Sequence, residues 1–278
     1  MFVGRRDQRT SLYRVQAQIG EQCGDENARR FGLSMGPTRC RLCSAVTEEQ
    51  FQLNVLGRHS VTYLRCLSCG SLQTEEPYWL HESYTADVPD EDPAYLYRNL
   101  EVARNTRVML HLFGVPRAAT VLDFGGGLGI VARLLVESGW RAFVHDTFTE
   151  PPFPDLKWTG DAADFILSSE VFEHLSDPAS ELDRLFQLMP NFVYIRTSRY
   201  RGEGSDWYYL VPETGQHVFF YTDQAMRMIA DKYGYRLFLP TSADAIFSKK
   251  SLNVLQRAAL KAYVSRGFHR LKVAIGGL

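Results

Sequence analysis

The chain has 278 residues, a formal net charge of −1, and 45% hydrophobic, 23% charged and 13% aromatic residues. That length holds one ordinary catalytic domain plus a minor module, and the composition excludes a disordered or fibrous chain. The near-zero charge speaks against nucleic acid as the default partner. No run reaches the roughly 18–20 apolar residues of a membrane span, and the start MFVGRRDQRT lacks the apolar core of a secretory signal. Five cysteines without an export signal read as reduced thiols, which gives a cytoplasmic expectation.

Residues 1–36 are polar, weakly periodic and broken by Gly20, Gly24, Gly32 and Gly36, and read as a poorly ordered leader in which Cys23 is a bystander. Residues 37–75 contain two cysteine pairs. Residues 76–93 are acidic, aromatic and punctuated by proline, as a linker or cover segment would be. A helix is predicted over 94–113, with Leu96, Leu100, Ala103 and Leu110 near one face, stopped by Gly114 and Pro116.

From residue 120 the pattern alternates. Strands are predicted at 120–124, 141–145, 165–169 and 192–196, with closing strands at 235–239 and 245–247. Between them fall helices at 129–138, at 178–188 with Asp177 as N-cap and Pro178 in the first turn, and at 223–233 between Thr222 and Gly234. Leu182, Leu185, Phe186 and Met189 make one buried stripe. Strands alternating with helices give an α/β fold with a doubly wound, mainly parallel sheet, residues 94–248 forming the catalytic domain.

Cys40-x2-Cys43 and Cys66-x2-Cys69 lie 22 residues apart, and Gly70 follows the second pair. Each pair can wrap one side of a tetrahedral ion, and the insert carries strand-like segments at 51–56 and 60–65 split by Gly57. This is the pattern of a zinc ribbon. An iron–sulfur cluster and an inert thiol set are the alternatives. With four thiolates the ion would have no open position, so Zn2+ here would be structural.

The strongest chemical signal is VLDFGGGLG at 121–129, between a strand and a helix. Glycines let the backbone turn sharply and let a ligand approach without meeting a Cβ, and the helix start offers free N–H groups. Such loops also bind NAD, FAD and phosphates. Asp123, two residues before Gly125, would repel a pyrophosphate but suits a cationic sulfonium with an amino group. Asp146, 17 residues after Gly129, can accept hydrogen bonds from ribose hydroxyls. A structural turn and a surface aspartate are the plain alternatives.

VLDFGGGLG, then VHD, DFILSSEVFEHLSDP and the WYYLVPETGQHVFFYT stretch together resemble class I S-adenosylmethionine-dependent methyltransferases. The likeness is to the group in which a cysteine-rich zinc-binding module precedes a Rossmann-like catalytic domain, often acting on sugars or polysaccharides. It covers roughly residues 38–240. The resemblance implies S-adenosylmethionine held by the loop through Gly129, with Asp123, Gly125 and Gly127 at the methionine end, Asp146 at the ribose, and Ser169 and Glu170 beside the sulfonium. Only 18 residues separate Asp146 from Phe165, and they include Pro151, Pro152 and Pro154, so the family's next helix and strand must be shortened or absent. Phe148 and Trp158 then become candidates for the adenine ring, and Asp161 for its amine, against core or surface roles.

Methyl transfer needs an aligned nucleophile and a base. His217, in Gly215-Gln216-His217, is favoured as base by the resemblance, with His174 second and Glu173 orienting either. Plain readings as helix-cap and turn residues stand beside these. Trp207, Tyr208 and Tyr209 offer a sugar-stacking wall or core packing. Residues 249–278 carry seven Lys/Arg and no Asp/Glu, with Leu252, Leu255, Ala259 and Tyr263 on one stripe. Such a segment suits peripheral contact with an anionic membrane, or simple docking on the domain. The leading expectation is a methyltransferase acting on a glycan or other small polar acceptor, at oxygen before carbon. A binding scaffold that has lost turnover, and an enzyme acting on nucleic acid or protein, are the alternatives.

Overall fold

The computed structural model describes residues 38–84 and 94–275, with side chains to residue 264. The predicted leader, Cys23, residues 85–93 of the linker and the side chains of the last part of the tail lie outside the described residues.

A six-stranded sheet organises the larger part of the fold, in the order β5-β4-β6-β7-β10-β9. Its strands are β4 (Thr120–Phe124), β5 (Arg141–His145), β6 (Phe165–Ser169), β7 (Phe192–Arg196), β9 (Arg236–Phe238) and β10 (Asp244–Ser248). The β5-β4-β6-β7 run is parallel, and β10 joins it antiparallel to both β7 and β9. Side-chain alternation with period two divides the core. Val121, Phe165, Leu167, Phe192, Tyr194 and Ile246 enter the layer under α1 (Tyr95–Leu112), α2 (Ile130–Glu137) and α5 (Val254–Ile275). Leu122, Ile166, Val193, Ile195 and Phe247 enter the opposite layer with α3 (Pro178–Gln187) and α4 (Asp223–Tyr233). This is the doubly wound α/β arrangement expected.

The helix ends follow local chemistry. Asp177 caps α3 by accepting from the Ser180 N–H, Thr222 caps α4 by accepting from Ala225, and Gly234 closes α4 in the left-handed conformation. Between Asp146 and β6 the described chain forms one 3-10 turn, Pro154–Leu156, and a single bridge from Lys157 to Val144. The shortening read from the prolines is borne out.

Three expected faces are corrected. On α1, Ala103 and Leu110 are buried as expected, but Leu96 and Leu100 are 59% and 47% exposed, and the buried face carries Glu101, Asn105 and Thr106 alongside Val102 and Met109. Met189 is 72% exposed because α3 ends at Gln187 and Met189 turns to φ 52°. On α5, Leu255 faces solvent while Leu260 and Val264 enter the core beside Leu252. Through Val264, then, the basic segment docks on the domain.

The cysteine segment builds a second sheet, β1-β2-β3-β8, all antiparallel. Here β1 (Thr47–Val55) and β2 (His59–Cys66) form a hairpin, and β3 (Leu72–Thr74) follows. The fourth strand, β8 (Phe219–Phe220), comes from the chain far beyond, between β7 and α4. Arg41 binds this junction, its guanidinium donating to the carbonyls of Thr74, Ser176 and Val218.

Candidate active site

At the carboxyl end of the parallel strands a cleft opens with about 500 Å3 of empty space, counting its mouth. Tyr95, Arg98 and Asn99 of α1 line one side. Asp123, the Gly125–Gly127 loop, Ser169 and Glu170 line the other.

The glycine end is shaped by backbone. Gly125, Gly127 and Gly129 have φ of 74°, 54° and 73°, a region side chains resist. A Cβ at Gly126 would stand 2.4 Å from the Asp123 carboxyl, so only glycine lets the loop fold over it. The Gly125 N–H donates to the His145 carbonyl at 2.7 Å. Gly127 donates to Asp146 Oδ2 at 2.8 Å, and the other oxygen of Asp146 accepts from Phe148 and Thr149. Asp146 therefore clamps the loop to the end of β5 while Oδ2 keeps a further lone pair.

Asp123 is 3% exposed, and its Oδ2 is buried with no hydrogen-bond partner among the described residues. Burial pushes the carboxyl up to about 7; the Ala132 N–H opposes this and the Asp146 charge adds to it. Such a group favours a cationic or donor-rich ligand.

The histidine end lies beyond the lining residues themselves: Glu173, His174, Tyr209 and His217, from distant parts of the chain, meet the cleft through Glu170, which does line it. The Tyr209 hydroxyl lies 2.8 Å from Glu170 Oε2 and 2.6 Å from Glu173 Oε1. One phenolic proton serves one acceptor, so the second contact needs a proton on a carboxyl. Burial, with the charge of Glu173, pushes Glu170 up to about 7, and burial raises Glu173 as well. Arg196 reaches Glu101 at 3.3 Å and Glu170 at 3.7 Å beneath. Glu170 itself sits at φ 54°, a strained conformation for a non-glycine residue.

The His174 and His217 rings meet edge to face with centroids 4.8 Å apart. His217 Nδ1 lies 2.6 Å from the Tyr209 carbonyl. A carbonyl only accepts, so Nδ1 carries the proton and the neutral ring offers its lone pair at Nε2. Burial lowers the pKa of His217, partly offset by the Tyr209 carbonyl and the Glu170 charge. His174 is held well below the ordinary imidazole value by burial, then by the charges of His217 and Arg98. Both rings are therefore neutral near pH 7.

The remaining candidates separate. Phe148 is 61% exposed and stacks on Tyr84 at 4.7 Å, outside the cleft lining. Trp158, half-buried, packs edge-on against Phe143 at the border of the core, and Asp161 is exposed. Of the three aromatics at 207–209, only Tyr208 is open to solvent, at 73%. Sequence reasoning missed Tyr95, Arg98, Asn99 and Arg196. The available signal was the polar stripe Glu101, Asn105 and Thr106, which marks an α1 face turned toward buried polar chemistry.

The four cysteines converge. Sγ atoms of Cys40 and Cys69 are 3.7 Å apart, those of Cys43 and Cys66 are 3.5 Å apart, and all four lie within 4.8 Å. A tetrahedral ion with bonds of about 2.3 Å spaces its sulfurs by roughly 3.8 Å. The Ser68 and Cys69 N–H groups point at Cys66 Sγ at 3.4 Å, as a metal knuckle requires. The set fits zinc. Thr222, the N-cap of α4, donates to the Cys69 carbonyl and ties the knuckle to the larger sheet.

A family model described as a methyltransferase domain matches residues 96–238, and the chain belongs to that family. No curated protein matches it. Among solved structures, it is similar to an O-methyltransferase family 2 protein from Planctomyces limnophilus in complex with apigenin (16% identity, TM-score 0.38). That match covers 62% of this chain and 65% of the other, so the chain spans less than two thirds of that protein's length. A chain from the complex of the Haloferax volcanii Trm112 methyltransferase activator with a putative methyltransferase aligns over 60% of this chain and 99% of its own (15% identity, TM-score 0.41). Human N-acetylserotonin methyltransferase with S-adenosylmethionine aligns over 64% and 67% (18% identity, TM-score 0.39).

Proposed function

We propose that this chain binds S-adenosylmethionine in the glycine cleft and passes its methyl group to a hydroxyl of a sugar-type or other small polar acceptor. The observation that carries the reading is Asp123: a buried carboxylate oxygen without a partner, lining the cleft of a methyltransferase-family domain. A bound methionine ammonium would supply the missing donor, and Asp146 Oδ2 would accept from the ribose. When bound, the cofactor supplies an electrophilic methyl on sulfur. The chain's own part is to orient and to move a proton. His217 Nε2 takes the proton of the acceptor hydroxyl, its ring held by the Tyr209 carbonyl; Glu173 and His174 frame the same end. Zinc in the four-cysteine knuckle is structural and steadies β8, the strand that starts two residues after His217.

Calorimetry with S-adenosylhomocysteine tests the cofactor. We expect one site per chain, lost or strongly weakened in Asp123→Ala; absence of binding to the wild-type chain sinks the proposal. Incubation with labelled S-adenosylmethionine and nucleotide-sugar acceptors, with the methylated atom located by NMR, tests the acceptor class.

A further inference from the structure

Outside the cysteine knuckle, one more set of donors meets at metal-site spacing among the described residues. One carboxylate oxygen of Glu173 and one ring nitrogen each of His174 and His217 lie within 4.8 Å of one another. We propose that these three side chains form a second metal site, for a divalent transition ion of the zinc or cobalt kind.

Three observations support it. Glu173 is fully buried, yet its Oε2 has no hydrogen-bond partner among the described residues. A buried carboxylate oxygen left without a donor is costly, and an ion removes that cost. Next, the outer contacts of each donor are already made. His217 gives its Nδ1 proton to the Tyr209 carbonyl at 2.6 Å, His174 Nδ1 meets the Tyr84 hydroxyl at 3.4 Å, and the Tyr209 hydroxyl donates to Glu173 Oε1 at 2.6 Å. Metal-binding imidazoles and carboxylates are oriented by such partners. Last, the donor set is selective. Two imidazoles with one carboxylate suit zinc, cobalt, nickel or ferrous iron, and leave magnesium and calcium, which want oxygen ligands, poorly served.

His174 Nε2 now stands 4.0 Å from Glu173 Oε1. With bonds of about 2.0–2.2 Å, binding draws the three donors together by roughly 1 Å, and three protein ligands leave positions open for water or an acceptor oxygen. Such an ion takes the Nε2 lone pair of His217. The loaded chain offers a Lewis acid where the ion-free chain offers an imidazole base.

The test is a titration of the metal-stripped full-length chain with Co2+ alone, read by absorbance and by bound-metal stoichiometry, without cofactor or acceptor. Its outcome is therefore independent of the methyl-transfer reading. Wild type should bind two ions: one with strong near-ultraviolet thiolate bands and one with visible bands only. His217→Ala and His174→Ala should each lose the second ion and keep the thiolate bands, which also report an intact fold. Tyr209→Phe should weaken the second ion by about 10–100-fold. A single ion in the wild type, or two ions retained in both histidine variants, overturns the proposal.

Discussion

At the glycine end of the cleft, Gly127 reaches Asp146 across 19 residues and Gly125 reaches the backbone of His145, the residue before it. At the histidine end, Tyr209 reaches Glu170 and Glu173 across 39 and 36 residues, and Val218 is held to Thr74 from 144 residues away. One end is thus a motif, and the other is an assembly. A motif fails when one atom is added, because its shape is backbone. An assembly fails when a remote support is removed, because its side chains are positioned by elements that have no other reason to be near.

The largest expected effect separates the two ends. His217→Ala should lower turnover by about 10²–10⁴-fold while S-adenosylhomocysteine binds as in wild type; normal turnover in that variant removes His217 from the chemistry. Cys66→Ser, or chelation of the zinc proposed for the knuckle, tests the assembly from a distance. Turnover should fall with cofactor affinity little changed, since β8 loses its support and the glycine loop does not. Equal losses at both ends would show the ends to be one cooperative unit.

Asp123→Asn probes the motif through stability. Its carboxyl is raised in the folded chain from an ordinary 3.8 to about 7. The folded chain therefore holds a proton that the unfolded chain releases. The stability tied to this group is complete below about pH 4 and is lost as pH rises through 7. The cost at pH 8 is on the order of 4 kcal/mol at most. The asparagine variant should thus have a higher Tm than wild type at pH 8 and similar Tm at pH 4, while binding S-adenosylhomocysteine less tightly. A lower Tm at pH 8 would contradict the burial argument. The smallest effect belongs to Phe148→Ala. An exposed ring stacked on Tyr84 should change stability by no more than about 0.5 kcal/mol in a denaturant titration and leave cofactor affinity unchanged.

The same contrast explains what could be read from the residues alone. The β4–loop–α2 unit, the Asp177 and Thr222 caps and the Gly234 stop are local chemistry, and all were legible. The two-residue β8 and three-residue β3 were not, because so short a strand has no periodicity and exists only through its partner. The α1 face was misread for a different reason. Hydrophobic spacing pointed to Leu96, Leu100, Ala103 and Leu110; Ala103 and Leu110 are buried, but Glu101, Asn105 and Thr106 share the buried face in place of the two leucines near the start. Polar residues on a buried face are invisible to a search for apolar stripes. His174 and His217 were each legible as candidates, yet nothing in their spacing foretold that their rings would touch.

Glu170, with its left-handed backbone, has a consequence for how this protein would evolve under artificial selection. Glycine at that position would relieve the strain and delete a half-buried carboxyl at once. A screen for heat resistance, blind to chemistry, should therefore enrich Glu170→Gly early and return survivors whose cleft has lost one of its lining carboxyls.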